Sequence, residues 1–222
     1  MEDHESTDVE VCVEKVYMHP KFHKPDPSLG HDIALVKLAW APELNERVQT
    51  ICEANDYELT ADSLCVVSGW GKMNPYMDEE GTFTVETQPN LQQARLSVSS
   101  SIDDCPYHTN QTFCGGAASS TNSQCAGDIG GPVQCWNGAN WVLAGITSFS
   151  LGNDGTISCG AYEFPTMFTN VKYFSEWIQG AIDRHNGQSP EYGHANVVKY
   201  FLKKILRKCF NFFKIFVVVR MV

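Results

Sequence analysis

At 222 residues with 43% hydrophobic positions, the chain is long enough to bury a sizeable core in one compact body. Its net charge of -10 is unevenly spread, since residues 1–186 hold 9 Lys and Arg against 25 Asp and Glu while residues 187–222 hold 7 against Glu191 alone, or -16 and +6. So acidic a body argues against phosphate-backbone binding, which depends on Lys and Arg, and no nucleic-acid partner is expected.

The chain opens Met1-Glu2-Asp3-His4-Glu5-Ser6, without the basic start and apolar run of a secretory leader. Short β-rich runs follow at Val9 to Met18, Ile33 to Leu38, Leu64 to Trp70, Gln93 to Val98 and Trp141 to Phe149, punctuated by Gly, Pro, Asn and Asp. That rhythm predicts an all-β fold of antiparallel barrels. A helix is predicted from about Val171 to His185, where Phe174, Trp177, Ile178 and Ile182 recur at three- and four-residue spacing. Asn186 to Gly193 reads as a polar linker, and residues 187–222 as a basic, hydrophobic tail outside the barrel pattern.

Within that tail Phe201, Leu202, Ile205, Leu206 and Phe210 alternate with Lys203, Lys204, Arg207 and Lys208, a helical basic pattern suited to an anionic membrane surface. The uncharged stretch Ile215 to Val219 is too short to span a bilayer. The nine cysteines lack tight CxxC spacing and predict a disulfide framework in an oxidising compartment. His4, His23, His108, His185 and His194 sit in polar surroundings without paired ligand spacing, so neither a metal nor a cofactor is expected. Asn110-Gln111-Thr112 satisfies the glycosylation sequon.

Four segments carry a resemblance. Gln124-Cys125-Ala126-Gly127-Asp128-Ile129-Gly130-Gly131-Pro132 resembles the nucleophile loop C-x-G-D-S-G-G-P of the chymotrypsin and trypsin family of serine peptidases, with isoleucine in the serine's place. His31-Asp32-Ile33-Ala34-Leu35-Val36-Lys37-Leu38 is similar to the strand bearing that family's triad aspartate. Val67-Ser68-Gly69-Trp70-Gly71 looks like its signature at the start of the second barrel, and Trp141 to Ser150 like its substrate-facing strand. The resemblance covers about residues 10 to 185 and implies two antiparallel six-stranded barrels with a C-terminal helix: a first-barrel remnant over 1–52, a second barrel over 63–169 and the helix over 171–185.

In that family a serine attacks the scissile carbonyl, a histidine shuttles its proton and an aspartate orients the imidazole. The resemblance assigns Asp32 as the aspartate and Ile129 as the nucleophile position, with Gly127 and Ile129 as oxyanion donors through their backbone N–H groups. An isoleucine offers no oxygen, thiol or amine, so it cannot be a nucleophile. The family's histidine lies in an Ala-Ala-His-Cys segment, and nothing before Asp32 resembles it; the chain is expected to begin after that point, leaving the first barrel incomplete with open strand edges. His19 and His31 read as structural, the latter turned away by its strand. Ser123 and Ser148 are rejected as substitute nucleophiles because no base is apparent beside either.

Ser123, Ser150 and Thr166 are the implied lining of a small, uncharged, elastase-like pocket. Implied disulfides are Cys65 with Cys135, Cys105 with Cys114 and Cys125 with Cys159, leaving Cys12, Cys52 and Cys209 over. Asp128 matches the aspartate that pairs with a new amino terminus after cleavage at an I-V-G-G-like site; none is present, so Asp128 is expected to lack its partner and the loop to be disordered. The function expected is non-catalytic binding of proteins or peptides in the extracellular space, with serine endopeptidase action as the alternative.

Overall fold

The computed structural model describes residues 9–23, 26–54, 56–71, 73–77, 83–86, 90–99, 105, 107–117, 128–150, 165–187 and 216–219. Strands dominate: β1 (Val13–Met18), β2 (Ala34–Leu38), β3 (Cys52–Glu53), β4 (Cys65–Gly69), β5 (Met73–Met77), β6 (Phe83–Glu86), β7 (Gln92–Ser99), β8 (Thr112–Ala117), β9 (Pro132–Trp136), β10 (Trp141–Ser150), β11 (Thr166–Asn170) and β12 (Phe216–Val219). One α-helix, α1 (Ser175–Gly187), follows a 3-10 turn at Lys172–Phe174.

Six strands close on themselves in the order β11, β8, β7, β4, β9, β10, with β10 pairing back onto β11, and every one of these pairings is antiparallel. Closure leaves this barrel without a free edge of its own. Alternation along the strands fills it: Cys65 and Val67 of β4, Leu96 and Val98 of β7, and Val133 and Cys135 of β9 are buried, packed with Phe113, Val142, Ala144 and Phe168. Gly145 is required there, because a Cβ would meet the Phe113 ring at 2.6 Å. The short β3 lies outside the closed set, running parallel to β10.

A second, three-stranded sheet has the order β1, β2, β12. Val13 to Met18 pairs antiparallel with Ala34 to Leu38, as two β-branched runs joined by a turn-rich connection should. The edge expected to stand open is covered instead by β12 from the tail, in register Val217 with Val36 and Val218 with Leu35. The membrane-facing pattern read at 201–210 lies outside the described residues. No helix among the described residues is long and apolar enough to cross a membrane.

The predicted terminal helix forms, with its first turn tightened to 3-10 geometry at Phe174. Its apolar face seals the seam between the sheets: Phe174, Ile178 and Ala181 pack with Ile33, Leu35, Ile146 and Val171, and with the flanks of Tyr17, Leu143 and Trp177.

Candidate functional site

Asp32 precedes β2 and is 3% exposed. Burying a carboxylate demands strong hydrogen bonds. Ser148 of β10 donates from Oγ to Asp32 Oδ2 at 2.5 Å, and Thr169 of β11 donates from Oγ1 to the Asp32 carbonyl at 2.8 Å. The ground on which Ser148 is rejected, the want of a neighbouring base, is therefore corrected, since a carboxylate touches its hydroxyl. Ser148 is only 2% exposed, so that hydroxyl holds the carboxylate in place, closed to a substrate.

The glycine turn stands one residue away along β10. Gly130 donates its N–H to the Thr147 carbonyl at 2.8 Å, and the Thr147 N–H donates to the Gly131 carbonyl at 2.9 Å. Gly130 has φ +85, the left-handed region that glycine enters without strain, and the Gly131 N–H closes the turn on the Asp128 carbonyl at 2.8 Å. Ile129, half-buried, is carried by this turn. Backbone and side chain of two consecutive β10 residues thus hold the turn that carries Ile129 and Asp32 beside one another.

Asp128 is not left without a partner, and that expectation is corrected. The Gly71 N–H donates to its Oδ1 at 2.8 Å, and the carboxylate lies in a cradle made by Gly69 and Gly71. A Cβ on Gly69 would meet Oδ1 at 1.9 Å, and one on Gly71 would meet the carboxylate at 2.3 Å. The Gly-Trp-Gly spacing is thus explained by the side chain it receives, and the turn from Asp128 to Gly131 is built, with Gly127 outside the described residues.

Of the implied pocket residues, Ser150 and Thr166 are cross-strand partners at the mouth of β10 and β11, and Thr166 is buried. Ser123 lies outside the described residues. Cys65 bonds Cys135 across β4 and β9, and Cys105 bonds Cys114 beside Met167. The pairing of Cys125 with Cys159 lies outside the described residues. Cys52 is disulfide-bonded, which corrects its place among the leftover thiols, while Cys12 is free and exposed. Asn110 is exposed in the turn before β8, with its carbonyl accepting from Asn170 Nδ2 at 3.2 Å.

His31 is not in a strand. It sits at φ +59 after Gly30 at φ +81, its N–H donating to Gln111 Oε1 at 3.1 Å, and this left-handed pair turns its ring onto that of His19 at 4.7 Å. Burial and the neighbouring His31 lower His19 to about 4, and burial followed by Lys21 lowers His31 below its ordinary value. No group of three or more metal-ligating side chains occurs among the described residues.

A closed barrel and a facing sheet that bring a buried aspartate and a glycine turn to one strand form the architecture of serine peptidases of the chymotrypsin type and their homologues. The chain belongs to that family: the family model described as Trypsin matches residues 1–178. It is 30% identical over 183 residues to human chymotrypsin-like elastase family member 1 (Homo sapiens), covering 82% of this chain and 68% of that protein. To the Bos taurus protein of the same name it is 28% identical over 183 residues, covering 82% and 66%. Chymotrypsin-C of Bos taurus is 32% identical over 171 residues, covering 76% and 60%. The chain spans about two thirds of the length of these relatives.

Proposed function

We propose that this chain is a non-catalytic serine peptidase homologue that acts by binding proteins or peptides. The observation that carries the reading is Ile129: the turn that holds it is built and docked on Thr147, yet the side chain presented at the nucleophile position is a hydrocarbon. The roles assigned with it are Asp32 as a retained orienting acid, Gly127 and the Ile129 N–H as a retained oxyanion frame, and Ser123, Ser150 and Thr166 as the walls of a small uncharged pocket. Binding would use that pocket and the adjacent β10 strand, which in a peptidase would face the substrate. The disulfides fit an extracellular setting with glycosylation at Asn110. Residues 1–186 form the proposed peptidase-like domain, and 187–222 a tail that lends β12 to the smaller sheet and whose basic face at 201–210 would contact an anionic membrane surface.

The alternative is a serine-type endopeptidase of the same family. The bond between Asp32 and Ser148 favours it, because a carboxylate held so firmly is what an orienting acid requires. A serine-directed fluorophosphonate separates the two readings. A homologue that only binds leaves the probe unreacted while the folded chain retains a peptide partner uncleaved; stoichiometric covalent labelling would establish an active serine and defeat the proposal.

A further inference from the structure

His19 and His31 come from the two ends of the connection between β1 and β2. Their rings stack at 4.7 Å, and both meet the terminal helical segment. His19 packs on Phe174 at 5.5 Å and Trp177 at 5.0 Å, while His31 meets the edge of Phe174 at 6.0 Å. The pair is anchored from behind: the His19 N–H donates to the Ile33 carbonyl at 3.1 Å, His19 Nδ1 accepts from the Lys21 N–H at 3.2 Å, and Gln111 holds the His31 backbone.

We propose that His19 and His31 form an acid-sensitive clasp that docks the 172–187 segment onto the β1–β2 sheet at neutral pH and loosens it as the two imidazoles take up protons.

The groups acting on the rings are His31 and Lys21 on His19, and Lys21 on His31, whose hydrogen bond to the Leu29 backbone acts in the opposite direction. From the helical segment the facing groups are the rings of Phe174 and Trp177, and Lys172 is engaged with Glu58. A first proton on the pair could gain some cation–π attraction from those rings. A second would place two like charges within a stacking distance, beside a lysine and against an apolar seam, which opposes it. Both histidines are lowered in the folded state, so the unfolded or undocked chain binds more protons below about 6.5. The clasp is therefore fully effective above that pH and is lost as pH falls toward about 4, the value for His19.

Amide hydrogen exchange of the full chain at pH 7 and pH 5, corrected for intrinsic rates, tests this. Protection of Ile178 to Asp183 is expected to drop on the order of tenfold at pH 5, while Val67 and Val133 in the barrel keep theirs. His19→Phe, which retains a ring but cannot titrate, combined with His31→Asn, which tolerates the left-handed backbone, is expected to abolish most of that drop. An unchanged drop in the double variant, no drop in the unaltered chain, or a parallel loss at Val67 and Val133 would each overturn the proposal.

Discussion

Thr147 and Ser148 bind, one residue apart, the turn carrying Ile129 and the carboxylate of Asp32. Removing the hydroxyl takes a donor from a buried charge, and such bonds contribute about 1.5–3 kcal/mol. Ser148→Ala is thus expected to lower stability by that amount in urea unfolding; a loss below about 0.5 kcal/mol would mean the hydroxyl does not hold Asp32. Gly71→Ala drives a Cβ into Asp128, and overpacking of that kind costs about 1–3 kcal/mol. Faster amide exchange at Gly130 and Gly131 should accompany it, and unaltered exchange there would separate the cradle from the turn. Asp32 and the Asp128–Gly131 turn were legible in the sequence because their chemistry is written in contiguous residues. The Ser148 contact spans 116 positions and the Asp128 to Gly71 contact 57, and neither carries a local pattern. The facing of His31 differs from its sequence expectation for a related reason: only the left-handed backbone there turns the ring.

Strand boundaries followed the sequence closely where alternation and turn residues agreed, as at Cys65–Gly69, Gln92–Ser99 and Trp141–Ser150. The helix did too, since its apolar spacing is helical and Gly187 ends it. The strand β12 was not foreseen, because four apolar residues after a basic stretch fit interfacial contact as well as pairing, and only the free edge of β2 decides between them. If that strand covers the edge, Val217→Pro with Val218→Pro removes adjacent donors on both sides of it and uncovers β2. Light scattering is expected to show concentration-dependent association of this variant, and a monodisperse variant at every concentration would contradict the covering role. The Cys65–Cys135 and Cys105–Cys114 disulfides differ in what they close. Cys65–Cys135 bridges 70 positions and Cys105–Cys114 bridges 9. In a chain-entropy account the first stabilises by about 4 kcal/mol and the second by about 2.5 kcal/mol. Paired Cys→Ser variants should rank in that order by thermal unfolding, and the reverse ranking would show native-state strain or packing outweighing loop closure.

At the scale of the molecule, a closed barrel, a smaller sheet and a helix sealing their seam hold the Ile129 turn, Thr147, Ser148 and Asp32 together, the site to which the proposal assigns binding without a nucleophile. The acidic body and the basic tail were visible as composition, and the family was visible in four motifs in order; which strand would close the smaller sheet was not, because long-range pairing leaves no periodicity to read. The central claim is that this assembled site binds without cutting. It is met most directly by measuring hydrolysis of a small-residue ester and of casein by the refolded full chain, beside an Ile129→Ser version whose fold is checked by its Trp fluorescence. Both are expected to show no turnover above the uncatalysed rate, because Ile129 supplies no nucleophile and the proposed roles include no imidazole base to activate a restored serine. Saturable, fluorophosphonate-sensitive turnover by the unaltered chain would contradict the account.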